Sequence, residues 1–178
     1  MRKITLLNLI TFLSAFLLFQ IELIISKTLL PDFGGSYMVW ESCVVFFQAA
    51  LFLGYFFSYY LLKKIGIKRC KPFYSILFLL PLLWFPGRGL PAIAAVNLSI
   101  PLVINVFWHL IFSIGAVFFV LSTSSVILQS WLGSSDLAEK NNPYALFALS
   151  NLGSFGALIT YPFFFEVFLD LNQQLLLW

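Results

Sequence analysis

Long apolar stretches separated by short polar ones dominate the chain, and within them hydrophobic residues run on without the strict alternation of a half-buried strand. The first stretch is Ile4 to Ile25, and the second is Met38 to Leu62, after a turn holding Pro31, Asp32, Gly34 and Gly35. A basic loop with Lys63, Lys64, Lys68, Arg69 and Lys71 follows. Pro72 then opens a third run that ends near Phe85, is short for a full crossing and contains Pro81. A loop with Pro86, Gly87, Gly89 and Pro91 leads through a weakly apolar stretch to Pro101, and the fourth run covers Leu102 to Leu128. A polar segment with Asp136, Glu139, Lys140, Asn141, Asn142 and Pro143 precedes the last run, Tyr144 to Phe168.

These runs approach the roughly 20 residues that a helix needs to cross the hydrocarbon layer. Inside lipid every backbone amide has to be satisfied within its own segment or in a closed barrel, and the period-two pattern of barrel strands is absent here. The pattern therefore predicts an all-α fold: a polytopic transmembrane bundle of about five helices, spanning 4–25, 38–62, 72–85, 102–128 and 144–168 in a single domain, 1–178.

Composition strengthens this reading. The chain is 61% hydrophobic and 19% aromatic, and only 10% of it is charged, whereas a soluble domain carries about a quarter charged residues. Its mean hydropathy is +0.99. The net charge of +3 does not point to nucleic acid, because the cations are not spread over a groove-sized surface and no nucleic-acid motif accompanies them. Cys43 and Cys70 fall at opposite ends of the second run, too far apart for a disulfide, and neither belongs to a metal-ligand spacing. Arg2 and Lys3 precede the first run as in a signal peptide, yet the run is long and no small-x-small cleavage site precedes Lys27, so a retained first helix is expected.

Charge also predicts orientation. Short loops rich in Lys and Arg stay cytoplasmic, which places the N-terminus and the Lys63–Lys71 cluster on that side, while Lys27 and Arg88 mark the sparsely basic loops opposite. Five crossings then put Trp178 on the far side. Trp40, Trp84, Trp131 and Trp178 lie near predicted helix ends, as interfacial anchors do.

Polar residues within lipid are expensive and so become candidates. Asn8, Thr11, Ala15 and Glu22 share one face of the first helix, and Glu41, Gln48, Tyr55 and Tyr59 share one face of the second. Two such stripes facing each other serve either as packing glue between helices or as a substrate or proton path using Glu22, Glu41, Gln48 and Glu166. Ala50, Gly54 and Ser58 on the second helix, and Ser150, Gly153, Ala157 and Thr160 on the last, form small-residue faces for close helix packing. His109 is the only histidine; without a second ligand nearby it is a weak candidate for metal, haem or pigment, and no cofactor is expected. Ser122, Thr123, Ser124 and Ser125 predict a bend in the fourth helix through bonds back to the preceding turn. Glu166 and Asp170 sit near the interface, where water solvates both. No Walker sequence, HExxH or nucleophile elbow is present, which excludes those catalytic classes.

Several separated words resemble one family. FLSAFLLF (Phe12 to Phe19), KTLLPDFGGS (Lys27 to Ser36), Val39-Trp40, LFLGYFFSYYL (Leu51 to Leu61), LSTSSVILQSWL (Leu121 to Leu132), NPYALFALSNLGSFGALITYPFFFE (Asn142 to Glu166) and the closing Gln174 to Trp178 are similar to the N-terminal membrane half of bacterial fused transporter-like/spermidine-synthase-like membrane proteins. Glu22-Leu23 in place of Gln-Pro, Asp32 in place of an aromatic and Ser125-Val126 in place of Ala-Pro depart from that pattern. The resemblance implies a multi-pass protein of the bacterial inner membrane. The family's Gly-rich aminopropyl-donor site and acidic catalytic residues match no segment here, so no enzymatic residue is implied. Three functions follow as expectations: a non-enzymatic subunit or scaffold packed against other membrane protein subunits in the bilayer, a small carrier for a polyamine or cation, or the membrane half of a split spermidine-synthase-like enzyme.

Overall fold

A single glycine with a positive φ ends each of the first two helices and sets where the chain turns. In the computed structural model, which describes residues 2–84, 99–134 and 144–178, α1 spans Arg2–Phe33 and α2 spans Tyr37–Ile65. Gly34 follows α1 at φ 87° and Gly66 follows α2 at φ 76°, a region open to glycine because it lacks a Cβ. Next come α3 (Ile67–Trp84), α4 (Leu102–Gly133), α5 (Tyr144–Phe168) and the short α6 (Leu171–Leu177). The all-α expectation holds, with no strand among the described residues.

Among the described residues four helices are long and apolar enough to cross a membrane: α1, α2, α4 and α5. The third expected span is not among them. Lys68, Arg69 and Lys71 occupy the first turns of α3, leaving Pro72 to Trp84, about 20 Å of apolar helix at ~1.5 Å per residue, against the ~30 Å of a hydrocarbon core. Phe85, Arg88, the expected Pro86–Pro91 loop and the polar segment from Asp136 to Pro143 lie outside the described residues.

Other boundaries shift as well. The first helix continues beyond Ile25 and carries Lys27 and Pro31 within it, since nothing stops it before Gly34. The expected basic loop is instead the last turn of α2, the Gly66 corner and the first turns of α3, with Pro72 inside α3 rather than opening it. The fourth helix runs to Gly133, and its irregularity is a π-helical turn at Ile111–Gly115 rather than at Ser122–Ser125. A second π-helical turn occupies Tyr161–Phe165 of α5.

Side-chain contacts fix the directions. Phe46 packs on Phe107, Phe47 on Phe118 at a ring separation of 4.8 Å, and Ser58 reaches Thr123, so α2 and α4 run parallel. Gly153 meets Phe12, Gln20 reaches Thr160 and Lys27 pairs with Glu166, so α1 and α5 are parallel too. Because α2 and α4 share a direction, Ile65 and Leu102 lie at opposite ends of the bundle. The core holds Leu18, Ile21, Ile25, Phe47, Leu110, Ile114 and Phe118, drawn from α1, α2 and α4.

Two glycines permit the closest approaches. A Cβ on Gly54 would lie 1.8 Å from Ser122 Oγ, and one on Gly153 would lie 2.5 Å from the Phe12 carbonyl oxygen. Gly54→Ala and Gly153→Ala are each expected to destabilise the protein by about 1–3 kcal/mol through overpacking, while Gly133→Ala, with nothing within 4 Å, is neutral. Reversible unfolding in mixed micelles measures this. Ser122→Gly restores Gly54→Ala if the clash is the cause, whereas Gly153→Ala, which meets backbone, has no such rescue.

Candidate functional site

The polar interior is built mainly on α4, where Ser122, Thr123 and Ser124 are all at most 1% exposed. In lipid such hydroxyls need partners, and the nearest acceptors are carbonyls of their own helix. Ser122 donates to Phe119 O at 2.7 Å, and Ser124 donates to Leu121 O at 2.6 Å. Thr123 Oγ1 stands 2.7 Å from Val120 O and 3.1 Å from the Tyr74 hydroxyl, which itself donates to Val120 O at 3.2 Å. That triangle ties α3 to α4, and Tyr74 also meets Trp131 edge-on. Ser58 of α2 donates to Gly54 O at 2.8 Å and lies 3.5 Å from Thr123 O.

Beside this seam α1, α2, α4 and α5 enclose a cavity of about 160 Å³. Six serines, Ser14, Ser122, Ser124, Ser125, Ser150 and Ser154, line it together with apolar side chains such as Leu18, Phe19, Leu51 and Leu121. No carboxylate, ammonium, guanidinium or imidazole reaches it.

A second polar region lies where α5 ends. Gln20 donates to Ala157 O at 3.4 Å and to Thr160 Oγ1 at 3.2 Å, reaching α5 just ahead of its π-helical turn. The chain breaks at Leu169, Asp170 caps α6 in a reciprocal capping box with Gln173, and α6 folds back along α1. Gln174 donates to Phe165 O and Leu169 O, at 3.3 and 2.8 Å, and the Trp178 indole donates to Leu17 O at 2.8 Å. Trp178 is thus drawn back along α1 to the level of Leu17, rather than standing beyond the last crossing.

The sequence candidates scatter. Glu22 is half-buried on α1, Glu41 and Gln48 are exposed on α2, and Glu166, exposed like Asp170, pairs with Lys27 at 2.5 Å. The two expected stripes do not face one another: α2 buries Val39, Cys43, Phe47 and Gly54, which turns Glu41 and Gln48 outward. Ala50 packs on the core, Gly54 and Ser58 meet α4, Gly153 and Ala157 meet α1, Thr160 accepts from Gln20 and Ser150 lines the cavity. His109 packs edge-on against Phe33 at 5.9 Å, and no group of three His, Cys, Asp or Glu gathers among the described residues.

Sequence reasoning missed Ser14, Gln20 and Tyr74. The signal for Ser14 was available, since Thr11, Ser14, Leu18, Ile21 and Ile25 follow the three-and-four spacing of a buried helical face. Gln20 and Tyr74 carry no such local mark.

No family model, no curated protein and no solved structure matches the chain.

The indole bond gives a direct test of the fold-back. Trp178→Phe removes one hydrogen bond of about 1 kcal/mol, so local opening of α6 is expected to rise roughly fivefold. Hydrogen exchange at Gln173 to Leu177 reports it, and unchanged exchange would mean that α6 is held by its apolar side chains alone.

Proposed function

We propose that this chain is a non-catalytic integral membrane subunit whose outward α2 face packs against another membrane protein. The carrying observation is Gln48. It stands at the twelfth position of α2 (Tyr37–Ile65), about 17 Å along the helix at ~1.5 Å per residue, and is exposed with no partner for its amide among the described residues. An amide facing hydrocarbon without a hydrogen bond costs several kcal/mol, and a polar group on a facing helix removes that cost. The flanking surface is broad: Val45, Phe52, Leu53, Tyr55 and Phe56 are all more than 40% exposed.

The small-residue faces that make a scaffold attractive from sequence are occupied inside the chain, Gly54 by α4 and Gly153 by α1. The subunit reading therefore stands on Gln48 and its apolar surround. With a photo-crosslinking residue at Val45 or Phe52, a discrete protein adduct is expected in the native membrane, and Gln48→Leu is expected to weaken it several-fold. Adducts to lipid alone at both positions would overturn the reading.

Orientation belongs to the same proposal. Seven of the ten Lys and Arg residues (Arg2, Lys3, Lys63, Lys64, Lys68, Arg69, Lys71) gather where α1 starts, α2 ends and α3 begins, while Asp32, Glu41, Glu166 and Asp170 lie toward the opposite end. Cations are retained on the cytoplasmic side, which makes the basic end cytoplasmic and, by the family resemblance, the membrane the bacterial inner one. A cysteine at Gly35 is expected to react with a membrane-impermeant maleimide in intact cells, and one at Lys64 only after permeabilisation. The reverse pattern would invert the topology.

A further inference from the structure

We propose that the serine-lined cavity between α1, α2, α4 and α5 is a binding site for a small uncharged molecule rich in hydrogen-bond donors, a short polyol being the fitting class. The cavity of about 160 Å³ holds roughly five waters at ~30 Å³ each, so it takes a solute of comparable size. The hydrogen-bond state of its walls sets the chemistry. Ser122, Ser124 and Ser154 have committed their protons to the carbonyls of Phe119, Leu121 and Ser150, and their oxygens are left as acceptors. Ser125 accepts from Gln129 Nε2 at 3.1 Å and keeps its proton. Ser14 is only 7% exposed, yet its hydroxyl has no partner among the described residues. That hydroxyl belongs to the cavity wall, where a bound solute can meet it.

The absence of charge excludes the other classes. With no ionised side chain in the lining, an anion or cation would surrender its hydration without a counter-charge. The lining presents acceptors at Ser122, Ser124 and Ser154 and donors at Ser14 and Ser125, a mixture that suits a guest able both to donate and to accept. Access is lateral, because Tyr55 and Asn151 line the cavity from α2 and α5 and are themselves exposed. Gln48, which carries the subunit reading, is not part of the lining, whereas Tyr55 belongs both to the cavity and to the α2 surface beside Gln48.

Saturation-transfer difference NMR on the full chain in nanodiscs tests it, with glycerol, methylammonium chloride and sodium acetate as probes. A saturable glycerol signal is expected, lowered at least fivefold in Ser14→Val/Ser150→Val and lowered to a lesser degree in Ser14→Ala, which removes one hydroxyl without filling space. Gln48→Leu leaves the signal unchanged. Should the double variant fail to fold, as judged by its helical signal and elution, Ser14→Ala alone carries the comparison. No saturable glycerol signal, an equal signal in the folded serine variants, or stronger binding of methylammonium or acetate would each overturn the proposal.

Discussion

Hydrocarbon offers no hydrogen bonds, and this single constraint organises the protein. Beyond the end turns, amides in the spanning segments are satisfied along their own helix, and many hydroxyls follow suit by donating one turn back, as at Thr11, Ser26, Ser42, Ser58, Ser122, Ser124 and Thr160. Helices that have internalised their polar demands associate through contact alone, and contact requires nearness. Hence the weight carried by Gly54 and Gly153, which let α4 approach α2 and let α5 approach α1.

Much of this was legible in the residues. Run length and the missing charges made the spanning helices plain, and the small-residue spacing marked both close approaches. Their partners were not legible, because a glycine face looks the same to a neighbour in the chain as to one outside it. Helix ends were misplaced where proline and lysine were taken as stops; the stops are Gly34 and Gly66, where backbone conformation rather than polarity decides. The α2 stripe misled for another reason. Regular spacing puts Glu41 and Gln48 on one face but does not say which way that face turns, and Val39, Cys43 and Phe47 claimed the interior. The last helix was missed although Asp170 and Gln173 make a local capping box, because a seven-residue helix is too short to show a pattern of its own and is held by Gln174 and by the distant bond from Trp178 to Leu17.

The proposed sites divide the polar groups in lipid into two kinds. Gln48 looks outward, where the proposed partner chain would complete it. Ser14 and its neighbours look inward, where the proposed solute would. Both arise where the self-satisfying habit fails: Gln48 carries its amide out on a long stem, and Ser14 keeps its hydroxyl off the preceding turn.

The backward-turned hydroxyls of α4 have a bearing on biogenesis. A segment leaving the translocon meets lipid before its eventual neighbours, and an unmet polar group at that moment opposes partitioning. Ser122 and Ser124 bring their acceptors with them, so α4 enters the bilayer at little polar penalty despite three consecutive buried hydroxyl residues. Gln20 and Gln174 find their bonds on or beside α5, so these two amides are met only once α5 has joined α1.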